Sequence, residues 1–190
     1  MNKKSIILIS STLIISLLTG IILLIKPFES KEDKLFNSTV KECLKNTKLT
    51  KYIKKNDVTI KYVDDSYISK YDDFEYFESF YDDINNEIVI KYNKDKEYMK
   101  KEIYSALGSM IFYNFDSNKK DDFTHIFDER FNFIVDYEIY KNIKFDSYFV
   151  SCYSTTFSTM YLIYIEDSKW IEDNYKEIYK YFKNIEKEIL

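Results

Sequence analysis

The sequence predicts an α+β domain, a helix followed by a small sheet and then several helices, behind an apolar N-terminal segment. Three observations carry this. Between residues 58 and 92 short runs alternate apolar with polar residues, the period of a half-buried strand. From Lys94 onward apolar residues recur at helical spacing almost to the end. Two glycines and one proline in 190 residues leave too few turn-formers for a many-stranded all-β fold.

The elements follow in order. "MNKK" precedes Ser5 to Ile25, a run without a single charge. At roughly 1.5 Å per helical residue it reaches about 30 Å, the hydrocarbon thickness of a bilayer. Residues 1–4 are then a short tail, 5–25 a transmembrane signal-anchor, 26–35 a linker and 36–190 the folded domain. A cleaved signal peptide is the alternative, although "LTG" makes a poor cleavage site. Lys3 and Lys4 favour an inside N-terminus, against Lys26, Lys31 and Lys34 on the other flank. The expected location is the cell membrane, single-pass, with the domain extracytoplasmic, or secretion if the signal is cleaved.

After the linker, apolar residues at 35, 36, 40, 44, 49, 52 and 53 predict a helix. "DVTIKYVDD" alternates at Val58, Ile60 and Tyr62 and predicts a strand. A second strand, an Asn-Asn turn and a third strand over Ile88 to Tyr92 come next. Helices are expected over 98–113 and around 121–140, 146–165 and 168–190.

Hydrophobic residues make up 45% of the chain and aromatics 18%, enough for a packed interior. The 19 tyrosines and 15 phenylalanines suit a core and also a peptide groove. Net charge is −4 and Arg130 is the only arginine, which gives a nucleic-acid partner no electrostatic basis. Cys43 and Cys152 could pair outside the cell or sit apart as small apolar residues. His125 is the only histidine. Two glycines cannot build a phosphate-binding loop, and there is no G-x-S-x-G elbow. The acidic clusters lack EF-hand spacing.

The chemistry-bearing stretch is "YSALGSMIFYNFD", residues 104–116. On a helical wheel Ile103, Leu107 and Met110 form one stripe, with Ser105 and Ser109 on the next at i, i+4. Histidines at that spacing converge on one zinc ion, and a glutamate after the first activates the bound water. Here serines and Ala106 stand there. The stretch also has a plainer use, small residues that let two helices approach closely.

Three segments together resemble the anthrax lethal factor-like metallopeptidases, which include the secreted Pro-Pro endopeptidases. "YDDINNEIVI" is similar to the family's strand before the zinc helix. "YSALGSMIFYNFD" is similar to the zinc helix itself, with Leu107 and Gly108 matching its middle. "DSYFVSCYSTTFSTMYLIYIEDSKWIEDNYKEIYKYFKNI" is similar to the tail that supplies the third ligand. The resemblance implies a zincin-like domain over about residues 36–190. It puts the histidines on Ser105 and Ser109, the catalytic glutamate on Ala106, the third ligand on Ser147 and a further glutamate on Ser151. The family's oxyanion-steadying tyrosine falls on Tyr140. A site of neutral hydroxyls is a poor zinc site, so the resemblance implies a degenerate member without zinc or any other cofactor.

The function it implies is a membrane-anchored, extracytoplasmic pseudo-metallopeptidase that binds an extracellular peptide or protein, a proline-rich surface protein being one candidate. Tyr104, Tyr140 and Ser151 are the expected cleft residues. The small side chains at 105, 106, 109 and 147 leave either an open cleft or one closed by Tyr140 or Tyr104. The alternatives are an active peptidase with unrecognised ligands and a purely structural surface domain.

Overall fold

The computed structural model describes residues 30–64, 78–145 and 152–189. Leu35–Leu190 forms one unit, distinct from Met1–Lys34.

Helix α1 (Lys31–Asn46) begins with a reciprocal cap inside the stretch read as linker. The Asp33 amide donates to Ser30 Oγ and the Ser30 amide to Asp33 Oδ2, each at 2.9 Å. α1 ends before Lys48, which takes a left-handed φ of 58°, and α2 (Thr50–Lys55) follows. One continuous helix through residue 53 was expected; the left-handed residue divides it. β1 (Thr59–Val63), β2 (Ser79–Asp82) and β3 (Glu87–Lys91) then make a sheet ordered β1-β3-β2. β1 runs parallel to β3, and β2 antiparallel to it. The turn between β2 and β3 is built by Asp82, whose Oδ1 accepts from the amides of Ile84 and Asn85, both at 3.1 Å. Asn86 closes it at φ 56°.

Helix α3 (Lys96–Tyr113) is capped by Asp95, whose side chain accepts from the amides of Glu97 and Tyr98. It is followed by α4 (Ser117–Phe127), α5 (Arg130–Lys141), α6 (Tyr153–Asn174) and α7 (Lys176–Ile189). The helix expected around 121–140 is thus two. α6 breaks internally at Asp167 (φ −149°, ψ 54°), whose carboxylate holds Lys141 at 2.8 Å.

The described residues therefore hold seven helices and one three-stranded sheet, a mostly helical body only loosely of the α+β kind. The expectation of an N-terminal transmembrane helix is corrected as well. No helix among the described residues is long and apolar enough to cross a membrane. Residues 5–25, on which that expectation rested, lie outside the described residues.

The core lies where α3 crosses α6. Met99, Ile103, Ala106, Leu107 and Met110 of α3 are fully buried, as are Phe157, Met160 and Ile163 of α6. Gly108 marks the closest approach: a Cβ there would stand 2.9 Å from the Ser158 Cα and 3.2 Å from the Tyr161 Cβ. A helix-interior glycine costs about 1 kcal/mol against alanine; here it lets two backbones meet. The aromatic surplus goes largely into this core. Phe157 sits edge-on to Phe123 and Phe115, with ring centroids 5.2 and 5.3 Å away.

Candidate functional site

Ser105 and Ser109 face a pocket of about 60 Å³. β2 forms one wall, through the consecutive residues Glu78, Ser79, Phe80 and Tyr81. α3 supplies Glu102, Ser105, Ser109 and Tyr113, and the start of α6 supplies Ser154, Thr155 and Ser158. Six of these eleven side chains are serine or threonine, so the lining is small and rich in hydroxyls.

The hydrogen bonds have a definite direction. Ser158 Oγ donates its one proton to the Ser154 carbonyl at 2.7 Å. Ser109 Oγ lies 2.8 Å from Ser158 Oγ, so Ser109 must be the donor in that pair. On the other wall Ser79 Oγ lies 2.7 Å from Glu102 Oε2 and 3.1 Å from the Glu102 carbonyl. Burial pushes the Glu102 carboxyl above the usual carboxylate range, the Ser79 hydroxyl opposes this, and Glu78 adds to it. Glu78 is itself held by Lys91 at 2.9 Å.

β2 also offers main chain. The Lys91 amide donates to the Glu78 carbonyl at 2.7 Å, which makes this a hydrogen-bonded pair of the antiparallel ladder. Alternation then turns the N–H and C=O of Ser79 and Tyr81 away from β3. Among the described residues β2 pairs on one side only.

The expected site residues part company here. Ser105 and Ser109 come together as expected. Ala106 is fully buried in the core rather than in the pocket. Tyr104 does not line the cleft either: it faces α1, where its hydroxyl accepts from Asn46 Nδ2 at 2.9 Å. Tyr140 is 54% exposed on α5 and stacks on Trp170 at 5.6 Å, apart from the pocket. Ser147 and Ser151 lie outside the described residues. Among the described residues Ser154 and Ser158, at the start of α6, line the pocket opposite α3.

Zinc does not fit this donor set. Six neutral serine and threonine hydroxyls and two carboxyls, one engaged by Ser79 and the other by Lys91, are poor ligands for it. Among the described residues no three His, Cys, Asp or Glu side chains converge as metal ligands. His125 lines a separate cleft with Glu129, Glu177 and Lys180. Among the described residues no imidazole lines the pocket, and the one carboxyl in contact with a serine hydroxyl is Glu102, at 2.7 Å from Ser79 Oγ. The arrangement is well suited to hydrogen-bonding and holding a ligand.

Cys43 and Cys152 are both free thiols. Burial pushes the Cys43 thiol up to about 11. Burial also acts on Cys152, but hydrogen bonds from the hydroxyls of Ser154 and Thr155 outweigh it and bring this thiol below its usual range.

No family model, no curated protein and no solved structure matches the chain.

Proposed function

We propose that the domain is a peptide-binding module on a metallopeptidase-like scaffold that has lost its zinc and catalytic groups. An extended peptide adds as a strand along the outer edge of β2, and one of its side chains enters the serine-lined pocket. The observation that carries this is the juxtaposition of an edge strand, unpaired on one side among the described residues, with a hydroxyl-lined pocket directly beside it. The resemblance of the three segments to the lethal factor-like peptidases points the same way. The proposed partner is an extracellular peptide or protein, proline-rich sequences among those to be tried.

A second reading, a purely structural surface domain, draws on the small size of the pocket, about 60 Å³. Titration of fluorescent extended peptides, proline-rich ones included, decides between them. Ser79→Pro is the matched variant. It removes an outward-facing N–H and leaves the β2–β3 ladder intact. Binding that Ser79→Pro abolishes, with the circular dichroism spectrum unchanged, supports the module. Failure of every peptide at roughly 1 mM, a free energy near −4 kcal/mol, leaves the structural reading.

A further inference from the structure

A second cavity, of about 450 Å³, lies away from the serine pocket, where α2, the end of α3, the start of α4 and the end of α7 meet. This is the size of a small-molecule site. Its floor is apolar: Ile111 and Phe115 are buried, and Tyr52 is half-buried.

Its rim is basic. Lys51 and Lys55 stand at i, i+4 on α2, and Lys119 comes from α4. The one acid lining the cavity, Glu188, is taken by Lys119 at 3.0 Å, and Lys119 also lies 3.9 Å from Asp116. Neither Lys51 nor Lys55 has an ion-pair partner among the described residues. Like charges at i, i+4 repel. The Tyr52 hydroxyl has no protein hydrogen bond among the described residues; burial raises its pKa, and the charge of Lys119 opposes this. In a chain of net charge −4 this is a local excess of cations over an apolar floor.

We propose that this cavity binds a small organic anion of the phosphomonoester class, its phosphate held by Lys51 and Lys55 and its apolar body resting on Ile111, Phe115 and Tyr52. Lysine ammonium groups serve phosphate as point charges, and an anion bridging Lys51 and Lys55 removes their mutual repulsion. The Tyr52 hydroxyl supplies one hydrogen bond to a phosphate oxygen. This site is independent of the peptide edge.

Amide chemical-shift titration of the whole chain with phenyl phosphate tests it, with inorganic phosphate and benzyl alcohol as partial probes. Phenyl phosphate should shift residues around Tyr52, Ile111 and Phe115 and bind at least about tenfold more tightly than either partial probe, a difference of about 1.4 kcal/mol. Lys51→Gln/Lys55→Gln should weaken it at least about tenfold by the same measure. Both positions are exposed, so the variant should keep the wild-type spectrum elsewhere. Equal affinity in the double variant, equal affinity for benzyl alcohol, or no saturable shift by roughly 10 mM would each overturn the proposal.

Discussion

Ser109 of α3 and Ser158 of α6 share a hydrogen bond, their Oγ atoms 2.8 Å apart, one residue along from the glycine that lets the helices meet. The pair lines the serine pocket and ties together the two helices that build the core. Because Ser158 gives its proton to the Ser154 carbonyl, the chain Ser109–Ser158–Ser154 runs in one direction. A double-mutant cycle with Ser109→Ala and Ser158→Ala should show a coupling of about 0.5–1.5 kcal/mol in urea unfolding. A coupling of zero would mean the two hydroxyls are each satisfied separately.

Gly108→Ala pits two effects against each other. Alanine gains about 1 kcal/mol of helix propensity. Its Cβ, however, would meet the Ser158 Cα at 2.9 Å, a backbone atom that cannot swing aside. Overpacking of this kind costs about 1–3 kcal/mol, so the variant should be less stable by up to about 2 kcal/mol. Greater stability in the urea midpoint would show that the helices part at no cost.

Glu102 makes stability depend on pH. Its folded-state pKa is raised, chiefly by burial. A carboxyl raised on folding binds more protons in the folded state. Its contribution is therefore fully present below the unfolded pKa and is lost as pH rises through the folded value. Glu102→Gln keeps an acceptor for Ser79 and removes the titration. The stability of Glu102→Gln relative to wild type should rise as pH climbs out of the carboxylate range, then level off. Denaturant unfolding at a series of pH values gives this difference directly, and a flat or falling difference contradicts the assigned burial.

The two thiols should separate cleanly. Cys43 is fully buried with its thiol held high, whereas Cys152 is exposed at the start of α6 with its thiol lowered. Thiolate is the reacting form. Iodoacetamide on the native protein should label Cys152 alone, and denaturation should release Cys43. Peptide mass spectrometry reads both outcomes; native labelling of Cys43 would contradict the α1–α3 packing.

How far the sequence reaches is clearest at particular residues. The alternation at Val58, Ile60 and Tyr62 places β1, and the Asn-Asn pair places the turn, because both signals are local. The i, i+4 serines of α3 are equally legible, and so is the use of Gly108 for close helix contact. The break at Asp167 falls in the gap expected between 165 and 168. The break after α1 is not legible, because Lys48 adopts a left-handed conformation without being glycine. The expected opposite wall, Ser147 and Ser151, lies outside the described residues, and Ser154 and Ser158 of α6 line the pocket without having been singled out in the sequence.

The placement of Tyr140 yields the sharpest functional contrast. Sequence matching puts this residue in the cleft, but its ring lies on Trp170, within a cluster with Tyr137 and beside Lys141. Ser105 lines the pocket, and its hydroxyl bonds to no described residue. If a peptide side chain enters the pocket beside β2, filling that space should matter and trimming Tyr140 should not. Ser105→Gln should weaken the binding of any peptide that Ser79→Pro also disrupts by at least about tenfold, or 1.4 kcal/mol. Tyr140→Ala should leave that affinity within about twofold, roughly 0.4 kcal/mol, while lowering stability through the lost stack on Trp170. Fluorescence polarisation measures both. The reverse pattern, loss at Tyr140 with Ser105→Gln unaffected, would move the binding surface to α5 and leave the serine pocket as a helix-packing device.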